Sequence, residues 1–214
     1  MKQYAVIGLG RFGRSMVQTL REMGCDVLGI DSNEDRVEAV VDIATHAVQA
    51  DTTDEETLKE LGIRNFDIVI VAIGKDIKAS ILTTVLVKEL GVKLVIAKAL
   101  SDLHGKVLER VGADRVVYPE REMAIRVAHN IESGNVLDYI ELSRDHSIVE
   151  VKAKPEYYEK TLAKLDFRAR YGISIMAIKR ENGDIIVGPG GETVIMSKDI
   201  IVAMGTKDKL RMIE

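Results

Sequence analysis

Tryptophan is absent from the 214-residue chain, and all aromatic residues together make up 4% of it. That scarcity argues against recognition built on stacked bases or sugars. A single cysteine, Cys25, excludes an internal disulfide framework and fits a reducing compartment. Its place just past a helical pattern suits a small buried apolar residue. No apolar run approaches the ~18 to 20 residues of a membrane span; stretches such as Ile68 to Ile73 have the length of buried strands. A strand begins within three residues of the start, so no signal peptide and a cytoplasmic location are expected. Net charge is −4, with no basic domain or stripe, so nucleic acid is not an expected partner. The four histidines, His46, His104, His129 and His146, share no metal-ligand spacing. No tyrosine is followed by lysine four residues on, which removes the short-chain dehydrogenase pair, and no acid/base constellation stands out in the C-terminal part.

What is present is a globular composition, 46% apolar and 30% charged, with a regular alternation of strand and helix signals up to about residue 132. Strand-like runs are Tyr4 to Ile7, Val27 to Ile30, Ala47 to Gln49, Ile68 to Ile73, Leu94 to Ala97 and Arg115 to Tyr118. Helical periods lie between them, as in the stripe Phe12, Met16, Leu20, Met23. Gly24, Gly62, Gly91 and Gly112 each close a helical pattern and precede Cys25, Ile63, Val92 or Ala113, the signature of a left-handed glycine cap. Thr53 with Glu56 fits a capping box, and Ser101 an N-cap. Six near-continuously apolar strands alternating with helices predict an α/β, Rossmann-like, doubly wound parallel sheet. Glu132-Ser133-Gly134-Asn135 interrupts the rhythm and marks a boundary between domains 1–132 and 133–214. The second domain reads as a small α+β module, with strands at Ser147 to Lys152, Ile173 to Lys179, Asp184 to Val187 and Asp199 to Met204. Short helices are expected at Glu159 to Leu165 and Thr206 to Ile213. A core this small is marginal alone, so oligomerisation would help it.

Gly8-x-Gly10-x-x-Gly13 follows the first strand and opens a helix, and Asp31 ends the next strand where a ribose-binding acid belongs. Gly8 permits the tight turn, Gly10 lets phosphates approach the backbone, and Gly13 lets helix and strand pack closely. Asp31 favours NAD(H) or an adenine nucleotide over a 2′-phosphorylated cofactor, although it could instead cap the following helix. Arg11, between two glycines at a helix start, must leave the turn toward ligand or solvent, and its guanidinium suits a terminal phosphate. Arg14 reads as solvated. Asp51 and Lys98 follow the third and fifth strands, on the rim where open α/β sheets bind ligands; each is a site residue, an N-cap or an exposed charge, and Lys98, ending an apolar run, is the stronger candidate. Glu120 follows the sixth and is either a site residue or a favourable acid in a helix's first turn.

Gly8 to Gly13 (including Phe12), Asp31, Ala44-Thr45-His46-Ala47, Leu61 to Phe66, Val71-Ala72-Ile73-Gly74, Gly112 to Arg115, Asn135 to Tyr139 and Phe167 to Gly172 together resemble the Ktr/Trk potassium-uptake regulators, the KtrA/TrkA family with regulator-of-potassium-conductance (RCK) domains, and most of all its KtrA branch. The resemblance covers nearly the whole chain. It implies an N-terminal domain that binds ATP, ADP or NAD(H), dimers assembled into an octameric ring, and docking at the inner membrane on a potassium transporter. It assigns the loop residues Gly8, Gly10, Phe12 and Gly13 to the cofactor, Asp31 to the ribose, Arg11 and Lys98 to terminal phosphates, and Glu120 to a divalent cation, Mg²⁺ or Ca²⁺, at the dimer interface. Asp51 joins the cofactor-binding set, and Arg168 becomes a candidate for cyclic di-AMP in the small domain. The chain then reads as a regulatory subunit and not an enzyme. The alternatives are a small NAD-dependent oxidoreductase and an NAD-sensing DNA-binding protein, the latter without a helix-turn-helix to support it.

Overall fold

The computed structural model describes residues 2–132 and 136–213. Ser133, Gly134 and Asn135, which carry most of the expected hinge, lie outside the described residues. The chain divides into two compact units, Met1–Glu120 and Arg121–Glu214.

The first unit alternates β1 (Gln3–Ile7), α1 (Arg11–Glu22), β2 (Asp26–Asp31), α2 (Glu34–Glu38), β3 (His46–Gln49), α3 (Glu55–Glu60), β4 (Ile68–Val71), α4 (Ile77–Glu89), β5 (Leu94–Lys98), α5 (Asp102–Arg110) and β6 (Arg115–Val117). All strands pair in parallel, in the order β3-β2-β1-β4-β5-β6. Successive residues of one strand feed opposite faces. Ala5 and Ile7 join a core cluster with Leu28, Ile30, Val69 and Val71, while Val6 joins another with Leu9, Val17 and Ile70. This two-sided burial is what continuous apolar strands require. The chain reverses direction across the sheet between β1 and β4, and their C-terminal ends open a crevice there.

The expected left-handed glycines are all present, with φ of 79° at Gly24, 64° at Gly62, 88° at Gly91 and 105° at Gly112. After three of them the next amide, of Cys25, Val92 or Ala113, bonds back to the last helical turn. Gly62 instead leads into a single 3₁₀ turn, Ile63–Asn65. Two local readings need correction. The cap of α3 is Asp54, whose carboxylate accepts from the Thr57 amide, whereas the Thr53 hydroxyl is drawn to Asp51. On α1 the stripe Phe12, Met16 and Leu20 packs against the core around the fully buried Gly13 and Val17, but Met23 does not join it, being the C-cap and 73% exposed.

α6 (Pro119–Glu132) begins in the first unit and continues into the second. The second unit then holds β7 (Val136–Glu141), β8 (His146–Lys152), α7 (Leu162–Leu165), α8 (Phe167–Tyr171), β9 (Ser174–Lys179), β10 (Ile185–Val187), β11 (Ile200–Thr206) and α9 (Lys207–Leu210). Its strands form an antiparallel sheet in the order β10-β9-β11-β8-β7 over a separate core that includes Val149, Val151, Ile178, Ile201 and Phe167. The helix expected from Glu159 starts only at Leu162, because Glu159 has φ of 60° and Thr161 is the cap. The closing helix is likewise only one turn.

Two consequences can be measured. A Cβ at Gly13 would lie 1.9 Å from the Gly8 carbonyl oxygen, so α1 and the β1 turn must separate to admit it. Gly13→Ala is expected to lower unfolding free energy by about 1–3 kcal/mol, read from urea denaturation. His104 is buried, with Nδ1 accepting from the Leu100 amide, and burial pushes its pKa down. The unfolded chain therefore takes up this proton first as pH falls below about 6.5, and the first unit's stability is full above that value and declines below it. His104→Asn, which keeps an acceptor for Leu100, should flatten the fall in thermal midpoint between about pH 7 and about pH 5.

Candidate functional site

The crevice at the C-terminal ends of β1 and β4 is a cleft of about 430 Å³. Its floor is the glycine loop. Gly8 takes φ of 93°, and a Cβ there would lie 2.9 Å from the Ile73 nitrogen, so both conformation and space demand glycine. Gly10 has open space where a side chain would be and caps α1 without any side-chain hydrogen bond. The first amides of α1 are therefore turned toward the cleft without a competing side-chain acceptor at the cap.

Asp31 closes one end. Its carboxylate is 4% exposed, accepts from the Leu9 amide at 2.7 Å and from the Asn33 amide at 2.9 Å, and pairs with Arg36 at 3.3 Å. It does not cap α2; Asn33 does, accepting from the Arg36 amide. Asp31 thus ties the glycine loop to the start of the next crossover while facing the cleft. Asp51 lies beside it in a tight turn, accepting from the backbone and hydroxyl of Thr53.

Lys98 defines the other end. Strand β5 carries it out of the sheet nearly buried, with its side chain 9% exposed and its ammonium 5.7 Å from the centre of the Phe12 ring. The ammonium donates to Glu120 at 2.5 Å, and Glu120 is 66% exposed. That hydrogen bond, with a smaller contribution from Arg11, holds the Glu120 carboxyl below the usual carboxylate range. Gly74 keeps the approach to Lys98 low, since a Cβ there would already touch its ammonium at 3.7 Å.

Of the ten residues singled out from sequence, eight line this one cleft: Gly8, Gly10, Arg11, Phe12, Asp31, Asp51, Lys98 and Glu120. Gly13 lies behind it and sets the packing of α1. Arg168 is in the second unit, exposed on α8 beside a separate groove of about 350 Å³ that also includes Asp166, Phe167 and Ile173. Sequence reasoning missed Arg36, Thr52, Lys75 and Asp76, which also line the cleft. Only Asp76 carried a local signal, as the cap of α4, whose side chain accepts from the Ala79 amide. The cleft holds four cations and four carboxylates. Arg36 and Lys98 are already paired, whereas Arg11 and Lys75 form no ion pair among the described residues. An incoming polyanion therefore meets two available cations and a helix start without first breaking a bridge. Among the described residues there is no group of three or more His, Cys, Asp or Glu side chains able to hold a metal, and no helix long and apolar enough to cross a membrane.

Residues 4–119 match the TrkA-N domain and residues 146–214 the TrkA-C domain. The chain is 54% identical over 205 residues to the Ktr system potassium uptake protein C of Bacillus subtilis (strain 168), spanning 96% of this chain and 92% of that one. It is 48% identical over 213 residues to the Ktr system potassium uptake protein A of the same organism, spanning 100% and 96%. In fold it is similar to the GsuK channel bound to NAD, with a TM-score of 0.68 at 21% identity. That match covers 98% of this chain but 38% of the channel chain. With both family domains matched in order and such relatives along its length, the chain belongs to the TrkA-N/TrkA-C family that includes the Ktr potassium-uptake proteins.

Proposed function

We propose that the chain is a nucleotide-responsive regulatory subunit of a Ktr-type potassium-uptake system, acting by binding and not by turnover. The observation that carries the reading is the cleft, in which a ribose acid, an open helix start and unpaired Arg11 line one crevice. Asp31 receives the ribose of ATP, ADP or NAD(H), the glycine loop receives the α- and β-phosphates, and Arg11 and Lys98 receive the terminal phosphate. The structural neighbour with NAD bound supports a nucleotide in this fold. The relatives' names support potassium uptake, and they lend no support to the oxidoreductase alternative.

Residues 1–132 form the nucleotide-binding part in this reading and residues 133–214 the regulatory and dimerising part. Dimers assemble into an octameric ring at the cytoplasmic face of the membrane, docked on the transporter. Arg168 is assigned to cyclic di-AMP in the second part. Glu120 supplies a carboxylate to Mg²⁺ or Ca²⁺, with phosphate oxygens completing the shell, since Mg²⁺ commonly takes one or two carboxylates besides substrate phosphates. Its exposed side chain leaves room for that role once Lys98 is shared with a phosphate.

Gating follows from differential affinity. A ligand shifts the assembly between two shapes only as far as it prefers one of them. A 100-fold preference corresponds to about 2.7 kcal/mol per site, and coupled sites in a ring add their contributions.

The leading test is calorimetry on the purified chain with ATP, ADP and adenosine, alongside mass spectrometry of the nucleotide released on denaturation. Arg11→Ala is expected to weaken ATP and ADP by an order of ten or more while leaving adenosine nearly unchanged. Equal losses for all three ligands would remove the terminal-phosphate role. Glu120→Gln is expected to abolish any Mg²⁺ or Ca²⁺ enhancement of ATP binding and to leave ADP within about twofold. Enhancement that survives intact would place the cation elsewhere.

A further inference from the structure

Helix α5 carries a glycine, Gly105, near its middle, where glycine costs about 1 kcal/mol relative to alanine. Gly105 is buried, and its backbone is ordinary helix, with its amide donating to the Ser101 carbonyl. No left-handed conformation calls for glycine here. Space does: a Cβ on residue 105 would stand 1.8 Å from the Tyr118 hydroxyl oxygen, 2.6 Å from Cζ and 3.2 Å from Cε1. The phenol therefore seats directly on the backbone of α5, in the gap the missing side chain leaves.

Tyr118 is also partly buried against the core of the first unit, so an added methyl cannot be absorbed by swinging the ring freely into solvent. It is followed at once by Pro119 and Glu120. Proline fixes its own φ and confines the preceding residue to extended backbone, so the segment from Tyr118 to Glu120 is stiff. At its end the Glu120 carboxylate meets the Lys98 ammonium at the mouth of the cleft.

We propose that Gly105 is a positioning residue for the nucleotide site: by seating Tyr118 on α5, it places Glu120 against Lys98 and the terminal-phosphate end of the cleft. This rests on the reading of the cleft as a nucleotide site in which Glu120 takes part. Neither Gly105 nor Tyr118 touches the ligand in this arrangement. Gly105→Ala keeps or raises helix propensity, so its effect on binding must come through the displaced phenol.

The test measures ATP and ADP affinity in Mg²⁺ for the full chain and for Glu120→Gln, Gly105→Ala, Tyr118→Leu and the Gly105→Ala/Glu120→Gln double variant. Gly105→Ala and Tyr118→Leu are each expected to weaken ATP about tenfold, with ADP within about twofold. In the double variant, Glu120→Gln should add less than about twofold, because the carboxylate is already misplaced. A purely structural role for Gly105 would lower the thermal midpoint, weaken ATP and ADP alike, and leave the effect of Glu120→Gln at full size; that result overturns the inference. If Gly105→Ala does not fold, Tyr118→Leu, which leaves α5 unaltered, decides by the same criteria. A chain in which Glu120→Gln weakens ATP but Gly105→Ala and Tyr118→Leu do not overturns this inference alone. A chain that binds no nucleotide, or binds ATP with Glu120→Gln silent, overturns the underlying reading as well.

Discussion

Helix α1 lies on strand β1 with no room for a single methyl group at residue 13, and the geometry of the cleft descends from that contact. The close approach brings the first turn of α1 over the end of β1, so its free amides point into the crevice between β1 and β4. Asp31 then fastens the turn from the other side by accepting the Leu9 amide. Loop, helix start and Asp31 are thus one hydrogen-bonded and sterically locked piece. A ligand bound there finds its backbone donors already oriented and need not order them.

The charges around this piece are arranged by reach. Asp31 with Arg36 and Glu120 with Lys98 stand at opposite ends of the cleft, each pair joining one nearly buried group to one partly or largely exposed group. The buried member of each pair is held in place and the exposed member can be exchanged. Desolvation makes a buried charge costly without a partner, so Lys98 depends on an anion beside it, here the Glu120 carboxylate. Arg11 and Lys75 carry no such obligation. The two classes of cation therefore differ in what an added anion meets: Lys98 already holds a carboxylate, whereas Arg11 and Lys75 have no ion-pair partner among the described residues.

Much of this was legible in the sequence because it depends on local chemistry. Left-handed glycines, apolar strands and a glycine loop between strand and helix each follow from backbone sterics, and all appear where those sterics place them. What was misread depends on competition between neighbours. Thr53 and Asp54 are both good caps, and Asp51 draws the Thr53 hydroxyl away. Glu159 extends a helical pattern on paper but adopts left-handed backbone. Strand β7 and helix α8 are short elements, of 6 and 5 residues, too brief for a period to stand out from their neighbours. Arg36 and Lys75 could not be found at all, since they sit in unremarkable local sequence and reach the cleft only through the crossing of the sheet.

Glu120 is also the last residue of the first unit, and Arg121, the next, begins the second. No linker separates the carboxylate of the cleft from the chain it hands on to. Both residues belong to α6, whose 14 residues make a rod about 21 Å long. Any change in the Glu120–Lys98 bridge therefore falls directly on the first turn of that helix, with no intervening loop to absorb it.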